Sequence, residues 1–128
     1  MKNLFLLIGL TTLMACNGPA QNTEVKRELF APAEFKKDMQ SKNDYYLIDV
    51  RTPAEFNQGH LDNAENLNLM DGSFENAIEK LDRKKPIYVY CAVGGRSNRA
   101  ANLLEDKGFV HIVDLKGGYT AWKKRMEN

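Results

Sequence analysis

A mainly parallel β-sheet with helices on both faces is the fold this sequence predicts, and three observations carry it. Short apolar runs such as Tyr45–Val50 and Ile87–Tyr90 have the length and composition of strands buried on both sides. Between them, apolar residues recur at the helical period; Phe74, Ala77, Ile78 and Leu81 fall at i, i+3, i+4 and i+7. Strand and helix patterns alternate from about residue 29 onward, which predicts an α/β layer architecture.

Residues 17–28 are polar and aperiodic and read as a flexible tether. Pro32 then opens a short helix with Phe35 and Met39 on one face. After the Tyr45–Val50 strand, Thr52-Pro53-Ala54-Glu55 combines a capping hydroxyl, a proline at the first helical position and a glutamate three residues on. Gly59 is suited to ending that helix. Ser73 is the expected cap of the helix carrying Phe74 and Ile78. Ile87–Tyr90 is the next strand. Ala100, Ala101 and Leu104 mark the inner face of the helix that follows, and Gly108 ends it. A strand over Val110–Val113 and a helix from Gly118 to Lys124, carrying Trp122, complete the series.

Composition narrows the partners. The chain has 128 residues, room for one domain, and a formal charge of +1. There is no basic stripe for nucleic acid. At the N-terminus one lysine precedes the apolar run Leu4–Leu13, too short to span a bilayer and right for a signal-peptide core. Leu13-Met14-Ala15-Cys16 resembles the bacterial lipobox, whose cysteine is lipidated and becomes the first mature residue. Residues 1–15 are therefore expected to be a lipoprotein signal peptide, 16–28 a lipidated start and tether, and 29–126 the folded domain. The expected location is the cell envelope, anchored through Cys16 and facing the periplasm or outer surface, with Asn17 favouring the outer membrane. With Cys16 acylated, Cys91 is the one free thiol, so neither a dithiol cycle nor an internal disulfide is available.

The chemistry centres on Cys91-Ala92-Val93-Gly94-Gly95-Arg96-Ser97, a glycine-bearing loop between an apolar strand and a helix. Inward-facing N–H groups of residues 92–96 and the positive end of the helix would stabilise a thiolate, or an anion beside it. Sites in parallel sheets form at the carboxyl ends of strands, and Cys91 stands at one. The bland alternative is a cysteine serving as small core filling. His60 is read as a loop-packing residue rather than a base, and His111 as structural. Whether Arg99 faces the site is left open.

Four segments together resemble the rhodanese-like family of sulfurtransferases. Leu47 to Phe56 looks like its "DVR-x-x-x-E-(F/Y)" segment, and Gly59-His60-Leu61 with Ala64 and Asn66 like its "GH-(I/L)-x-x-A-x-(N/H)" segment. Cys91-x-x-Gly94-x-Arg96-Ser97 matches the active loop, and Gly117-Gly118-Tyr119-x-Ala121-Trp122 the "GG-x-x-(A/S)-W" close. The resemblance implies five parallel strands and a Cys91 nucleophile that becomes a persulfide. The outer sulfur then passes from a donor such as thiosulfate to cyanide or a thiol. It implies donor binding by Arg96 and the loop, a hydrogen bond from Ser97, and Asp49 and Arg51 bracing the loop. No metal or cofactor is implied; a monomer is expected, and a thiol-carrier or reductase protein is an admissible partner. Two rival classes remain. A phosphatase or arsenate reductase would need Cys-x5-Arg where this chain has Cys-x4-Arg, and a non-catalytic binding module would need no turnover at all.

Overall fold

The computed structural model describes Gly18 and residues 23–127. The expectations for residues 1–15 and for Cys16 lie outside the described residues.

Five parallel strands form one sheet in the order β1-β5-β4-β2-β3. They are β1 Lys26–Phe30, β2 Tyr46–Asp49, β3 Glu65–Asn66, β4 Ile87–Tyr90 and β5 His111–Leu115. The helices are α1 Pro32–Gln40, α2 Pro53–Asn57, α3 Ser73–Ile78, α4 Gly95–Asp106 and α5 Gly118–Met126. Because β4 is the middle strand, its residues are buried on both sides. Ile87 and Val89 join Phe74, Ile78, Ala100, Ala101 and Leu104 under α3 and α4. Tyr88 and Tyr90 join Phe35, Leu61, Val113 and Leu115 on the opposite face, with Tyr119 and Trp122 packed against them. The period-2 alternation of a strand thus feeds two separate apolar layers.

Several boundaries differ from the sequence expectation, each for a local reason. The expected tether over 16–28 ends early, because Lys26, Arg27 and Glu28 belong to β1 and pair with His111, Ile112 and Val113 of β5. An edge strand written Lys-Arg-Glu-Leu-Phe offers little apolar signal. Ser73 is not a cap: Gly72, at φ 84°, holds that position, and the Asp71 carboxylate accepts from the Ser73 N–H at 2.9 Å. The helix also stops at Ile78 rather than continuing to Leu81. β5 runs two residues beyond Val113, through Asp114 and Leu115. Among the described residues no helix is long and apolar enough to cross a membrane.

Candidate active site

The chain leaves β4 at Tyr90, passes through Cys91–Gly94 and enters the twelve-residue helix α4. Strand parity aims Cys91, like Val89, toward α4. Gly94 adopts φ 118°, a left-handed region that only glycine enters freely, and this turns its N–H back onto the sulfur. The Gly94 N–H donates to Cys91 Sγ at 3.0 Å. Ser97, fully buried in the first turn of α4, places its Oγ 3.5 Å from Sγ and donates to the Gly94 carbonyl at 3.2 Å. A backbone amide, a hydroxyl and the positive end of a long helix therefore meet at one sulfur.

The loop's outward carbonyls are held by the segment Gly117 to Trp122. Tyr119 N–H donates to the Cys91 carbonyl at 2.8 Å, and Thr120 N–H to the Ala92 carbonyl at 3.0 Å. Approach this close requires Gly118, where φ is 60° and a Cβ would stand 2.5 Å from the Cys91 carbonyl oxygen. Two helix N-termini clamp the loop, α4 through its sulfur and α5 through its carbonyls.

The remaining predicted residues fall into place unevenly. Cys91 is 1% exposed, so the sulfur lies under the loop rather than open to solvent. Val93, by contrast, is 69% exposed on the loop's outer side and does not line the sulfur's surroundings as apolar wall. Arg96 does not present a free guanidinium to a donor. It makes two hydrogen bonds of 2.7 Å to the Glu55 carboxylate on α2. That pair, with added hydrogen bonds from Thr52, holds the Glu55 carboxyl down to about 2. Glu55 also completes the capping box of α2 with Thr52, so one side chain starts a helix and holds the loop's arginine.

Asp49 and Arg51 form a buried ion pair with contacts of 2.6 to 3.1 Å. Its further reach is to the Gly59 carbonyl, 2.7 Å from Arg51 Nη2, and to the Tyr119 ring, 4.4 Å from the guanidinium carbon. Tyr119, under that guanidinium, is the residue whose N–H holds the Cys91 carbonyl, which is the contact the structure shows between the pair and the loop. His60 stacks on Phe56 at 3.7 Å and its Nδ1 meets the Phe56 carbonyl at 2.9 Å, a packing role. Arg99 lies 3.9 Å from the Met70 sulfur on the exposed side of α4. His111 contacts Glu28 at 3.2 Å, at the end of the sheet opposite the loop.

Sequence reasoning missed one buried group beside the site. Asp114, on β5, is 5% exposed and its Oδ1 has no hydrogen-bond partner among the described residues. Burial pushes its carboxyl up to about 6, against smaller opposing effects from Ser97, Arg27 and the Leu115 backbone. An acid inside an otherwise apolar strand pattern was the available signal.

Among the described residues the one cysteine, Cys91, sits under a helix N-terminus at the carboxyl end of the middle strand of a parallel sheet. The rhodanese-like domain family matches residues 31–125, and the chain belongs to that family. It is 41% identical over 81 residues to YqhL of Bacillus subtilis, covering 63% of each chain. Thiosulfate sulfurtransferase GlpE of Coxiella burnetii is 34% identical over 86 residues, 67% of this chain and 78% of that one. The crystal structure of a rhodanese-related protein from Thermoplasma volcanium matches with a TM-score of 0.66 and 28% identity. That match covers 77% of this chain and 92% of the other. The fold expected from the sequence, a parallel sheet flanked by helices, is the fold observed.

Proposed function

We propose that this protein is a sulfurtransferase that carries a sulfane sulfur as a persulfide on Cys91. The observation that carries the reading is the Gly94 N–H aimed at Sγ at 3.0 Å under the start of α4. An amide and a helix N-terminus stabilise negative charge on that sulfur before and after it is loaded. The thiolate attacks the outer sulfur of thiosulfate, the S–S bond breaks, and sulfite leaves with its electron pair. Cyanide or a thiolate then takes the outer sulfur, giving thiocyanate or a new persulfide and restoring the Cys91 thiolate. The exchange is balanced without an added oxidant, reductant or cofactor. Since the sulfur is 1% exposed, residues 92–95 must open for each donor to enter. Kinship with the GlpE of Coxiella burnetii supports thiosulfate as the donor to try first.

The test is the mass of the Cys91 peptide after the full chain is treated with thiosulfate. A gain of one sulfur, reversed by dithiothreitol and absent in Cys91→Ser, is expected. The same burial, with Arg96 occupied by Glu55, favours one second reading, a non-catalytic module. A Cys91 that gains no sulfur from thiosulfate or a polysulfide establishes that reading and ends the first.

Membrane attachment through Cys16 is a further part of the proposal. In a parallel sheet all strands start at one end, so Lys26 of β1 lies at the end away from Cys91. A lipid on Cys16 would join the domain at the end of the sheet away from Cys91. Cys16→Ala is expected to abolish labelling by a palmitate analogue and release the protein from the membrane fraction; labelling that persists overturns the anchor.

A further inference from the structure

Three metal-ligating side chains meet at the end of the sheet away from Cys91, and strand register explains how. In the β1–β5 ladder Glu28 stands beside Val113, and in the β4–β5 ladder Tyr88 stands beside the same residue. Ladder partners point to one face, so Glu28, Val113 and Tyr88 form a row on the face covered by α1. His111, two residues before Val113 on β5, points to that face as well. Asp38 reaches the row from above. It lies one turn past Phe35, the buried residue through which α1 packs on the sheet.

The ligating atoms of Glu28, Asp38 and His111 all lie within 4.8 Å of one another. His111 Nε2 is already 3.2 Å from Glu28 Oε2. A tetrahedral zinc site with bonds of about 2.1 Å sets its ligands about 3.4 Å apart, so the widest pair has to close by about 1.4 Å, within the reach of side-chain rotation. The three side chains are 15% to 22% exposed, open enough to admit an ion and dry enough to hold it. Asp38 is also fixed from behind. The Tyr88 hydroxyl donates to its Oδ2 at 2.6 Å, the kind of outer hydrogen bond that orients a carboxylate ligand. Lys26 takes the Glu28 oxygen that His111 does not, at 3.2 Å, and Lys42 the Asp38 oxygen that Tyr88 does not, at 3.3 Å. Partly exposed ion pairs of this kind contribute little, and an entering cation displaces them.

We propose that Glu28, Asp38 and His111 form a binding site for a divalent transition-metal ion of the zinc class, which ties edge strand β1 to α1 and β5. The donor set selects the class. An imidazole with two carboxylates suits zinc or cobalt, whereas calcium and magnesium favour oxygen ligands alone. Two carboxylates and a neutral imidazole also balance the charge of the ion, so no net charge is left half-buried. β1 gains most from such a tie, because β5 is its one neighbour in the sheet and Lys26 and Arg27 at its start are exposed. The inference is independent of the reaction proposed at Cys91.

The test is a calorimetric titration of the full chain carrying Cys16→Ala and Cys91→Ser, so that no thiol competes for the ion. Zinc, cobalt, calcium and magnesium chlorides are each added alone. One zinc or one cobalt per chain is expected, with calcium and magnesium at least a hundredfold weaker. His111→Ala and Asp38→Asn each remove a ligand and should weaken zinc by more than about tenfold. Tyr88→Phe keeps all three ligands and removes the outer hydrogen bond alone; it should weaken zinc by about tenfold. Zinc should also raise the thermal midpoint of the parent chain and leave that of His111→Ala unmoved. A parent chain that binds no zinc overturns the proposal without any further variant having to fold. Zinc binding undiminished in His111→Ala, or calcium bound as tightly as zinc, overturns it equally, the last marking an acidic surface and nothing more.

Discussion

The Cys91 loop is flanked by two carboxylates that the fold treats in opposite ways. On the α2 side, Glu55 receives Arg96 on both oxygens and Thr52 on one of them, and its carboxyl is held down to about 2. On the β5 side, Asp114 is more deeply buried, has an oxygen with no partner, and is pushed up to about 6. The difference lies in what accompanies burial: a guanidinium on both oxygens of Glu55, and no ion-pair partner for Asp114 among the described residues. The paired flank stabilises the loop. The unpaired flank costs stability wherever Asp114 is ionised, and carboxyls raised by burial cluster at functional sites.

Removing what both flanks share should have the largest effect. Gly118→Ala drives a Cβ to within about 2.6 Å of the Cys91 and Ala92 backbone at a φ of 60°. The backbone there cannot yield, so a loss of about 3 kcal/mol or more is expected, measured as the urea midpoint. A variant of native stability would show that the α5 clamp is not what holds the loop.

The second effect has the opposite sign. The Asp114 carboxyl is raised from 3.8 to about 6 on folding, so its favourable contribution is full below pH 4 and is lost as pH rises through about 6. Asp114→Asn should therefore stabilise the protein by about 2 kcal/mol at pH 8 and leave it unchanged at pH 4. Urea melts at the two pH values check this; destabilisation at pH 8 would mean the ionised carboxylate has a partner.

These two flanks were not equally legible in the sequence. The strand–loop–helix around Cys91 was readable because its signals are local: four apolar residues, two adjacent glycines, then Ala100, Ala101 and Leu104 at helical spacing. The Thr52–Glu55 capping box was equally local, and it forms. That the same Glu55 would take Arg96, forty-one positions on, depends on packing α2 against α4, which no local pattern encodes. Asp114 was lost for a different reason: an acid ended the apolar run at Val113, so the strand was read as stopping there. A single acid does not by itself end a parallel strand, and β5 continues through Asp114 to Leu115. β1 and β3 were illegible because one is a charged edge strand and the other has two residues.

The smallest effect sharpens the comparison most, because its pH dependence runs the other way. The Glu55–Arg96 pair is a quarter to a third exposed, with side-chain exposures of 34% and 26%. After discounting for solvent screening it contributes about 1 kcal/mol. Because folding depresses the Glu55 carboxyl from 4.5 to about 2, that contribution is present above about pH 4.5 and fades as pH falls toward 2. Glu55→Gln should destabilise by about 1 kcal/mol at pH 7, by less at pH 3, and by less again in high salt. The difference between variant and native stability should thus slope downward with pH for Glu55→Gln and upward for Asp114→Asn. Slopes of the same sign would mean that both carboxylates answer to one shared field around the loop. The division into a paired flank and an unpaired one would then have no energetic content.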